Sequence, residues 1–386
     1  MHDVNRSHSP SRSSRRLPWR AAAGIAFAAS LALSACSGVA DVPAADSDDV
    51  FTLTAITQSV EGSPPAAIQD WFYSEIEQRS EGRIVFDRLA PNSLCPAVEI
   101  VECIRDGRAD VGSSTPDYTP QYFPDAAVIG IPFTGQNAEA IMTALYQVHE
   151  EFPEAQGLYE SIGLKPVATW PVGKMLIGTK IPVTETGDLS GLRIRVTGEG
   201  PQAAFGSVGA NPVALPASEA YEAANTGVID GVGFAMDGPV NFGLMEVLGY
   251  WTDPGIGHYS SNALWFNAAS FDRLPSDLQQ IIEDVRVELN EGAGIAAAAA
   301  IQAEQCDAML DSPDVAAFDA WSPENTQTWS DLLGDDSKDR WIETAKAAGL
   351  TEAEAYLDRY LTLLEEAEST SAADPVADCV DRFSAR

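Results

Sequence analysis

Basic residues and histidines are scarce in this sequence of 386 residues. Lys and Arg number 23 against 57 Asp and Glu, the formal net charge is −34, and there are 4 histidines. So acidic a surface repels nucleic acid and anionic lipid, which excludes binding to either through a basic face. The excess of acid favours a solvated, salt-tolerant surface. Binding of a small anion would require the few cations to gather locally in a cleft.

Signatures of common catalytic sites are also absent. The sequence contains no G-x-S-x-G elbow, no H-E-x-x-H and no P-loop. Beyond the first 35 residues only His149 and His258 remain, and neither lies in a metal-binding pattern. Asp and Glu are too abundant for any pair to indicate glycosidase chemistry. We therefore expect neither an enzyme nor a metal or cofactor site.

No apolar run near the N-terminus is long enough for a membrane-spanning helix. Residues 21–33 are apolar but fall short of the roughly 20 residues that a bilayer of about 30 Å requires. They follow the basic stretch RSSRRLPWR and end in Leu33, Ser34, Ala35 and Cys36, which has the form of a lipobox. We predict that residues 1–35 are a lipoprotein signal peptide. The exported protein would then be anchored through Cys36 on the outer face of the cytoplasmic membrane; an ordinary cleavage site that contains a cysteine is the alternative.

Four cysteines remain after Cys36, an even number that suits an oxidising compartment and allows three pairings. Proximity in the sequence favours Cys95 with Cys103 and Cys306 with Cys379. Within one helix the first two would lie about 12 Å apart, beyond disulfide reach, so Cys95 is predicted to precede the helix that begins near Pro96. A zinc site is the alternative, and the scattered spacing argues against it.

Strand and helix patterns alternate from Phe51 onward, which indicates an α/β fold. Residues 36–50 are small and acidic and are predicted to form a flexible tether. The run 115–133 is rich in proline and aromatic residues, and we expect it to be a loop in which Tyr118 lines a cleft or simply packs. Residues 240–251 are predicted to form a helix. The segment 274–312 is helical for about 35 residues, roughly 50 Å, which is long enough to cross two lobes.

The stretch from Asp188 to Gly238 organises the rest of the chain. In GLRIRV, apolar residues alternate with Arg193 and Arg195, so one strand face carries both guanidinium groups. Arg195 is the foremost candidate for a ligand contact, although an isolated arginine in a strand is also typical of an ion-paired residue. Gly198, Gly200 and Ala203 form G-x-G-x-x-A before a helix, the pattern of a dinucleotide site. Pro201 and the cationic strand disfavour that alternative.

Three segments in series carry a resemblance to a known family: GLRIRV, ANPVALPASEAYEAANTGVIDG and FDRLPSDLQQIIEDV. They resemble the solute-binding proteins of tripartite ATP-independent periplasmic (TRAP) transporters, the DctP-type family, and the likeness extends from about Phe51 to about Leu310. It implies a two-lobed, type II-like periplasmic-binding-protein fold with a long helix spanning both lobes. Residues 51–172 and 258–285 would form the first lobe, and residues 173–257 and 286–386 the second.

The resemblance also implies the site. The second arginine of GLRIRV binds the ligand carboxylate in that family, and it falls on Arg195. A basic residue where the chain crosses between lobes assists, and Lys174 lies near that position, with Trp170 placed to stack on a ligand or to pack. The sequence departs from the family at Thr197, at Ala217 and after Gly231, where Q-E-N-P is replaced by V-G-F-A. Phe234 in that replacement suggests a more apolar ligand body.

These inferences converge on an extracytoplasmic receptor for a small organic anion, a carboxylate in our prediction. The partners implied by the resemblance are the integral membrane subunits of a TRAP transporter, besides the lipid anchor. A binding protein of an ATP-driven importer and an exported enzyme are the alternatives. Adjoining permease genes would identify the first, and turnover of a bound compound the second.

Overall fold

The computed structural model describes residues 49–369 and 374–386. The predicted signal peptide, Cys36 and nearly all of the predicted tether lie outside the described residues. Within them the chain forms eleven strands and fourteen α-helices. The strands are β1 (Phe51–Thr57), β2 (Ile84–Arg88), β3 (Val111–Ser114), β4 (Leu164–Pro171), β5 (Leu176–Thr179), β6 (Arg193–Arg195), β7 (Asn211–Val213), β8 (Gly231–Phe234), β9 (Tyr250–Asp253), β10 (Ser261–Asn267) and β11 (Ala317–Ala320).

The helices surround two sheets. They are α1 (Pro64–Arg79), α2 (Ile100–Arg105), α3 (Ala138–Glu151), α4 (Pro153–Ser161), α5 (Glu199–Ser207), α6 (Ala220–Asn225), α7 (Asp237–Asn241), α8 (Ala268–Asp272), α9 (Ser276–Glu288), α10 (Gly294–Asp311), α11 (Pro323–Leu333), α12 (Asp336–Ala347), α13 (Ala353–Glu368) and α14 (Pro375–Ser384). In the described part of the chain no helix combines the length and the apolar character that crossing a membrane requires.

The first sheet has the order β2-β1-β3-β10-β4. β1 is parallel to β2 and β3, and β10 is antiparallel to β3 and β4. All seven residues of β10, SNALWFN, are buried, as expected of a strand that is paired on both edges and covered on both faces. α1 covers this sheet with Ile68, Phe72 and Ile76, and it begins with Pro64 and Pro65 in its first turn, where proline is tolerated.

The second sheet has the order β11-β9-β5-β8-β6-β7. β6, β7 and β8 are mutually parallel and are joined by α5 and α6, so their carboxyl ends lie at one edge. In open parallel sheets this edge is where ligands bind. The predicted alternation of strands and helices in the central stretch is therefore present. It places the carboxyl end of β6, where Arg195 lies, at this edge of the sheet.

Besides the long helical segment between β10 and β11, two short segments connect the sheets. The chain crosses after β4 through residues 172–175 and returns before β10 through residues 254–260. The two segments pair with each other: the Val172 amide donates to the Ser260 carbonyl at 3.1 Å, and the Met175 amide donates to the Gly257 carbonyl at 2.9 Å. The first sheet and the second are thus held by a paired double connection, as in a two-lobed binding protein.

The predicted long helix is present. α9 and α10 are joined by a π-helical turn at Leu289–Ala293, in which Gly292 adopts φ 112°. A positive φ is accessible to glycine at little cost, so the interruption falls where the sequence permits it. Ile282 and Val285 pack in the core beside the first sheet, whereas Met309 and Leu310 pack in the core beside the second. The helix therefore spans both lobes.

The C-terminal helices divide between two cores. α14 packs on β11 and α10 beside the second sheet, but α13 packs on α3. Tyr356, Leu357 and Trp341 belong with Ile141 and Val128 to an apolar cluster on the first-lobe side. α12 packs on α5 as well as on α13, so the segment 286–386, predicted to belong to the second lobe, contacts both lobes.

Both predicted disulfides are present. Cys95 bonds to Cys103, and Cys95 precedes the helical segment as the rise-per-residue argument requires. Cys306 of α10 bonds to Cys379 of α14, 73 residues later. The second bond ties the C-terminal helix to the spanning helix, so the chain end is fixed to the second lobe.

Candidate functional site

Arg195 ends strand β6 at the carboxyl edge of the second sheet. The period of two places Arg193 and Arg195 on the same face, but their surroundings differ. Arg193 is exposed and pairs with Asp230 at 2.7 Å. Arg195 is 2% exposed and lines a cavity between the two sheets, which we call the Arg195 cleft. The alternation seen in the sequence thus gives one solvated ion pair and one buried guanidinium.

The Arg195 guanidinium is held by the protein on one side only. Its Nε donates to the Leu215 carbonyl at 3.0 Å, and its central carbon lies 4.7 Å from the centre of the Phe234 ring. Within residues 49–369 and 374–386, no carboxylate forms an ion pair with it, and its two terminal nitrogens have no hydrogen-bond partner. A planar guanidinium with two free N–H edges has the geometry that a carboxylate matches bidentately.

The opposite wall of the Arg195 cleft comes from the first lobe and is neutral and polar. Gln58 Nε2 donates to Thr115 Oγ1 at 2.6 Å and to Asn262 Oδ1 at 3.1 Å, and Thr115 also bonds Asn262 at 3.1 Å. Because these three side chains satisfy one another, they form a preorganised surface opposite the guanidinium. Tyr118 completes the wall, and its hydroxyl accepts from the Ala217 amide of the second lobe at 3.0 Å.

The Arg195 cleft encloses a volume of about 80 Å³. This exceeds the roughly 10 to 15 Å³ that a cavity needs to hold one water molecule. Phe234, Phe242 and Val172 supply its apolar surface. The space therefore suits a small organic molecule with a polar end at Arg195 and an apolar body.

Two aspartates lie near the guanidinium without pairing to it. Burial raises the pKa of Asp117 to about 6, although its bond with Ser260 and the charge of Arg195 act in the opposite direction. Burial likewise raises the pKa of Asp237 to about 7, against the effect of Arg195 and of backbone amides. Asp237 Oδ1 is buried and has no hydrogen-bond partner in the described residues. Both acids are thus partly neutralised by protonation rather than by an ion pair, and Arg195 remains available.

The predicted site residues do not all meet at the Arg195 cleft. Tyr118 and Phe234 line it together with Arg195. Trp170 is 1% exposed and belongs to the hydrophobic core of the first lobe, so packing, the alternative considered from the sequence, is what the structure gives. Because β4 lies at the edge of the first sheet and α3 covers it, the indole points into protein rather than into the cleft.

Lys174 lies in the crossing segment, as the resemblance implies, but two aspartates hold it. Its Nζ is 3.0 Å from Asp253 Oδ2 and 2.8 Å from Asp374 Oδ2. Burial alone would lower the pKa of Lys174, but the two carboxylates outweigh burial and the pKa lies above its ordinary value. Lys174 lines a separate cavity, which we call the second cavity, and it is not among the residues around the Arg195 cleft.

Sequence reasoning missed Asp117, Asp237 and the cluster of Gln58, Thr115 and Asn262. Asp237 follows strand β8 by three residues and begins α7, so the rule that ligands bind at the carboxyl ends of parallel strands was a usable signal. Thr115 likewise follows β3 directly. Asn262 lies inside the buried strand β10, where no pattern distinguishes a ligand contact from a satisfied core amide.

The glycine pattern after β6 does not form a nucleotide-binding turn. A Cβ at Gly200 would lie 2.2 Å from the Gly130 carbonyl oxygen, so protein fills the space beside this turn. The carboxylate oxygens of Asp117 lie 3.5 Å from the corresponding position at Gly198. A carboxylate at the start of α5 repels phosphate, which argues against the dinucleotide alternative.

A family model described as bacterial extracellular solute-binding protein, family 7 (DctP), matches residues 63–343. Among curated relatives, the ectoine/5-hydroxyectoine-binding periplasmic protein UehA of Ruegeria pomeroyi is 27% identical over 55% of this chain and 62% of its own length. The 2,3-diketo-L-gulonate-binding periplasmic protein YiaO of Escherichia coli is 26% identical over 70% of this chain and 81% of its own. The chain thus spans less than two thirds of the length of the first of these relatives.

Solved structures show the same fold. A TRAP periplasmic solute-binding protein of Bordetella bronchiseptica with bound (R)- and (S)-mandelate superposes with a TM-score of 0.71. The match covers 82% of this chain and 99% of that one at 24% sequence identity. The two-sheet architecture with the spanning helix is therefore that of a two-lobed solute-binding protein.

Proposed function

The chain belongs to the bacterial extracellular solute-binding proteins of family 7, and we propose that it captures a small organic carboxylate in the Arg195 cleft for a TRAP-type membrane transporter. The observation that carries this proposal is the buried guanidinium of Arg195, which has no carboxylate partner in the described residues. Burying a charge without a partner is unfavourable. A ligand carboxylate would supply the missing charge and fill both free N–H edges.

The surroundings of Arg195 support a small, partly apolar ligand body. Phe234 packs on the guanidinium and Phe242 lies beside it, their ring centres 5.2 Å apart. The Gln58, Thr115 and Asn262 cluster supplies hydrogen-bonding groups from the other lobe. Mandelate, a small carboxylate with an aromatic body, is bound by the Bordetella bronchiseptica protein of the same fold. We propose a ligand of that general class.

We also propose that binding couples to closure of the two lobes. The cleft is walled by both sheets, and Tyr118 bonds Ala217 across it, so the closed arrangement removes the ligand from water. Delivery to the integral membrane subunits of a TRAP transporter follows from membership of the family.

The proposed residues of the site are Arg195, Tyr118 and Phe234, together with Asp117, Asp237 and the cluster of Gln58, Thr115 and Asn262.

The residues predicted to direct and anchor the protein, 1–35 and Cys36, lie outside the described part of the chain. We propose lipidation at Cys36 from the Leu-Ser-Ala-Cys sequence alone. Labelling with a fatty-acid analogue should depend on Cys36, and labelling of Cys36→Ser at the native level would contradict it.

Mass spectrometry of small molecules released from the purified native protein tests the proposed function. We expect one organic acid in an amount approaching that of the protein, because a cleft that neutralises a buried charge retains its ligand. Arg195→Ala, purified in parallel, should release none. Equal amounts of acid from both proteins, or no acid from either together with no binding of added carboxylates, would contradict the proposal.

A further inference from the structure

The second cavity adjoins the Arg195 cleft and has a volume of about 110 Å³. Val172 and Asp237 line both spaces, so they form the common wall. Most of the rest of its lining comes from places far apart in the sequence: the crossing segments with Lys174 and His258, the spanning helix with Gln305, and the starts of α1, α3 and α14. Nothing in the proposed function uses this cavity.

Three buried polar atoms around the second cavity have no hydrogen-bond partner in the part of the chain that the structure describes. They are Asp237 Oδ1, His258 Nδ1 and Gln305 Oε1. His258 is 4% exposed and Gln305 is 3% exposed. An unsatisfied buried polar atom is costly, and native proteins hold few of them. Three such atoms that line one cavity indicate that an occupant satisfies them.

The Gln305 amide is oriented by its neighbours. Its Nε2 donates to Asn241 Oδ1 at 2.6 Å, and Asn241 Nδ2 donates to the Gly62 carbonyl at 3.2 Å. Turning the Gln305 amide would set two oxygens against each other, so Oε1 is the atom left unpaired. It is an acceptor that lacks a donor.

His258 is a neutral ring in the same cavity. Burial, followed by the charge of Lys174, lowers the pKa of His258 to about 3. A neutral imidazole has one donor and one acceptor nitrogen, and Nδ1 is a buried ring nitrogen without a partner in the described residues. With the carboxylate oxygen of Asp237, the cavity therefore presents acceptors that need donors.

Lys174 does not supply those donors. Its ammonium is held by Asp253 at 3.0 Å and by Asp374 at 2.8 Å, and it forms no hydrogen bond to Asp237, His258 or Gln305 in the described residues. The donors must therefore come from outside the protein. A group that is rich in N–H or O–H bonds and carries positive charge, or none, matches this lining best.

We propose that the second cavity is a second ligand subsite, in which Asp237, His258 and Gln305 accept hydrogen bonds from an ammonium or hydroxyl group of the small carboxylate held by Arg195. This inference rests on the proposed function and specifies its substrate class. The ligand is then an amino- or hydroxy-substituted carboxylate rather than a plain one. Asp237, which lines both spaces, determines that preference.

The test compares pairs of probes that differ by one donor group: phenylacetate with mandelate, benzoate with 3-hydroxybenzoate, and butyrate with 4-aminobutyrate. Calorimetric titration of the mature protein, freed of bound ligand by unfolding and refolding, measures each affinity. A hydrogen bond to a charged acceptor changes affinity by about tenfold or more. We expect at least one donor-bearing probe to bind about tenfold more tightly than its plain twin.

Two matched variants locate the effect. Asp237→Asn keeps the shape of the side chain but removes the carboxyl group, whose ionised fraction is a stronger acceptor than an amide oxygen, so the gain from the donor should shrink. Asp230→Asn makes the same change at an aspartate that lines neither cavity and pairs with Arg193, and it should leave the gain intact. Gln305→Met removes another acceptor that lines the second cavity. The gain in affinity measured with this variant is a second test, and it does not depend on how Asp237→Asn folds. Circular dichroism and thermal melts accompany each variant.

The outcomes separate this inference from the proposed function. Two results would overturn the inference and mean that the second cavity holds only water. In the first, plain carboxylates bind but no donor-bearing probe binds more tightly than its plain twin. In the second, the gain in affinity survives undiminished in both Asp237→Asn and Gln305→Met. If no carboxylate binds and none is released from the native protein, the proposed function itself fails, and this inference with it.

Discussion

Replacing Arg195 with alanine is the most direct perturbation of the cleft. The side chain is 2% exposed, its Nε is bonded to the Leu215 carbonyl at 3.0 Å, and no described carboxylate neutralises it. In the complex the ligand carboxylate is its partner. Breaking a buried pair by removing one member costs about 3 to 5 kcal/mol, since the other charge stays buried and unpaired. At about 1.4 kcal/mol per tenfold, affinity should fall by roughly a hundred- to several thousandfold.

The ligand-free protein should respond differently. Removing Arg195 loses one hydrogen bond and the contact with Phe234, but it also removes a buried charge without a partner. These effects oppose each other, so the melting temperature of the ligand-free protein should change little. Arg195→Lys should recover only part of the affinity, because an ammonium lacks the bidentate geometry of a guanidinium. Isothermal titration with the released acid, and thermal melts without it, measure the two effects separately.

Arg193→Ala is the matched control. It removes the same side chain from the same strand and the same face, but Arg193 is exposed and paired with Asp230. Its affinity should stay within about twofold of the native value, since exposed pairs contribute about 0 to 1 kcal/mol. Near-native affinity in Arg195→Ala would refute the clamp. A large loss of stability in ligand-free Arg195→Ala would instead make Arg195 a structural residue.

The excess of acid in the chain does not prevent anion binding at this cleft. The formal net charge is −34, yet surface charges farther than about 8 Å are largely screened at physiological ionic strength. The charges that affect binding of an anion are those buried beside the Arg195 cleft. With the pKa of Asp117 raised to about 6 and that of Asp237 to about 7, both carry less negative charge near neutral pH than exposed aspartates would. The few cations need not outnumber the acids, because burial reduces the negative charge of the acids beside Arg195.

The alternation of strand and helix patterns predicted an α/β fold, whereas the resemblance to the DctP-type family implied the two lobes and the position of Arg195. Alternation in residues 192–196 defines a strand face, and the following helix and strands define the parallel edge at which β6 ends. Cys95 could be placed before its helix from the rise per residue alone. What the pattern could not give is which of Arg193 and Arg195 is buried, because that depends on the first lobe packing over one end of the strand.

The role of Lys174 required contacts that no local pattern contains. Asp374, one of its two partners, lies 200 residues away, and Asp253 is in strand β9.

The helix predicted over residues 240–251 was wrong for a more local reason. Gly243 adopts φ 66°, which ends helical structure after α7, and Tyr250 and Trp251 belong to strand β9. Apolar residues beside glycines are compatible with a helix or with a strand. Here the pairing of β9 with β5 makes residues 250–253 a strand.

Three further predictions follow from buried groups. Lys174→Met should lower stability by about 3 to 5 kcal/mol, because it strands the buried Asp253 carboxylate; an unchanged free energy of unfolding in urea denaturation would contradict this. Replacing Cys306 and Cys379 together with serine opens a link between residues 73 apart and should cost about 4 kcal/mol; an unchanged urea midpoint would contradict it. Burial raises the pKa of Asp237 from 3.8 to about 7, so folding favours its protonated form. The stability it contributes is complete below about pH 4 and is lost as the pH rises through about 7. Asp237→Asn should therefore flatten the fall in the free energy of unfolding between pH 4 and pH 8, and profiles that run parallel for the two proteins would show that Asp237 keeps its ordinary pKa.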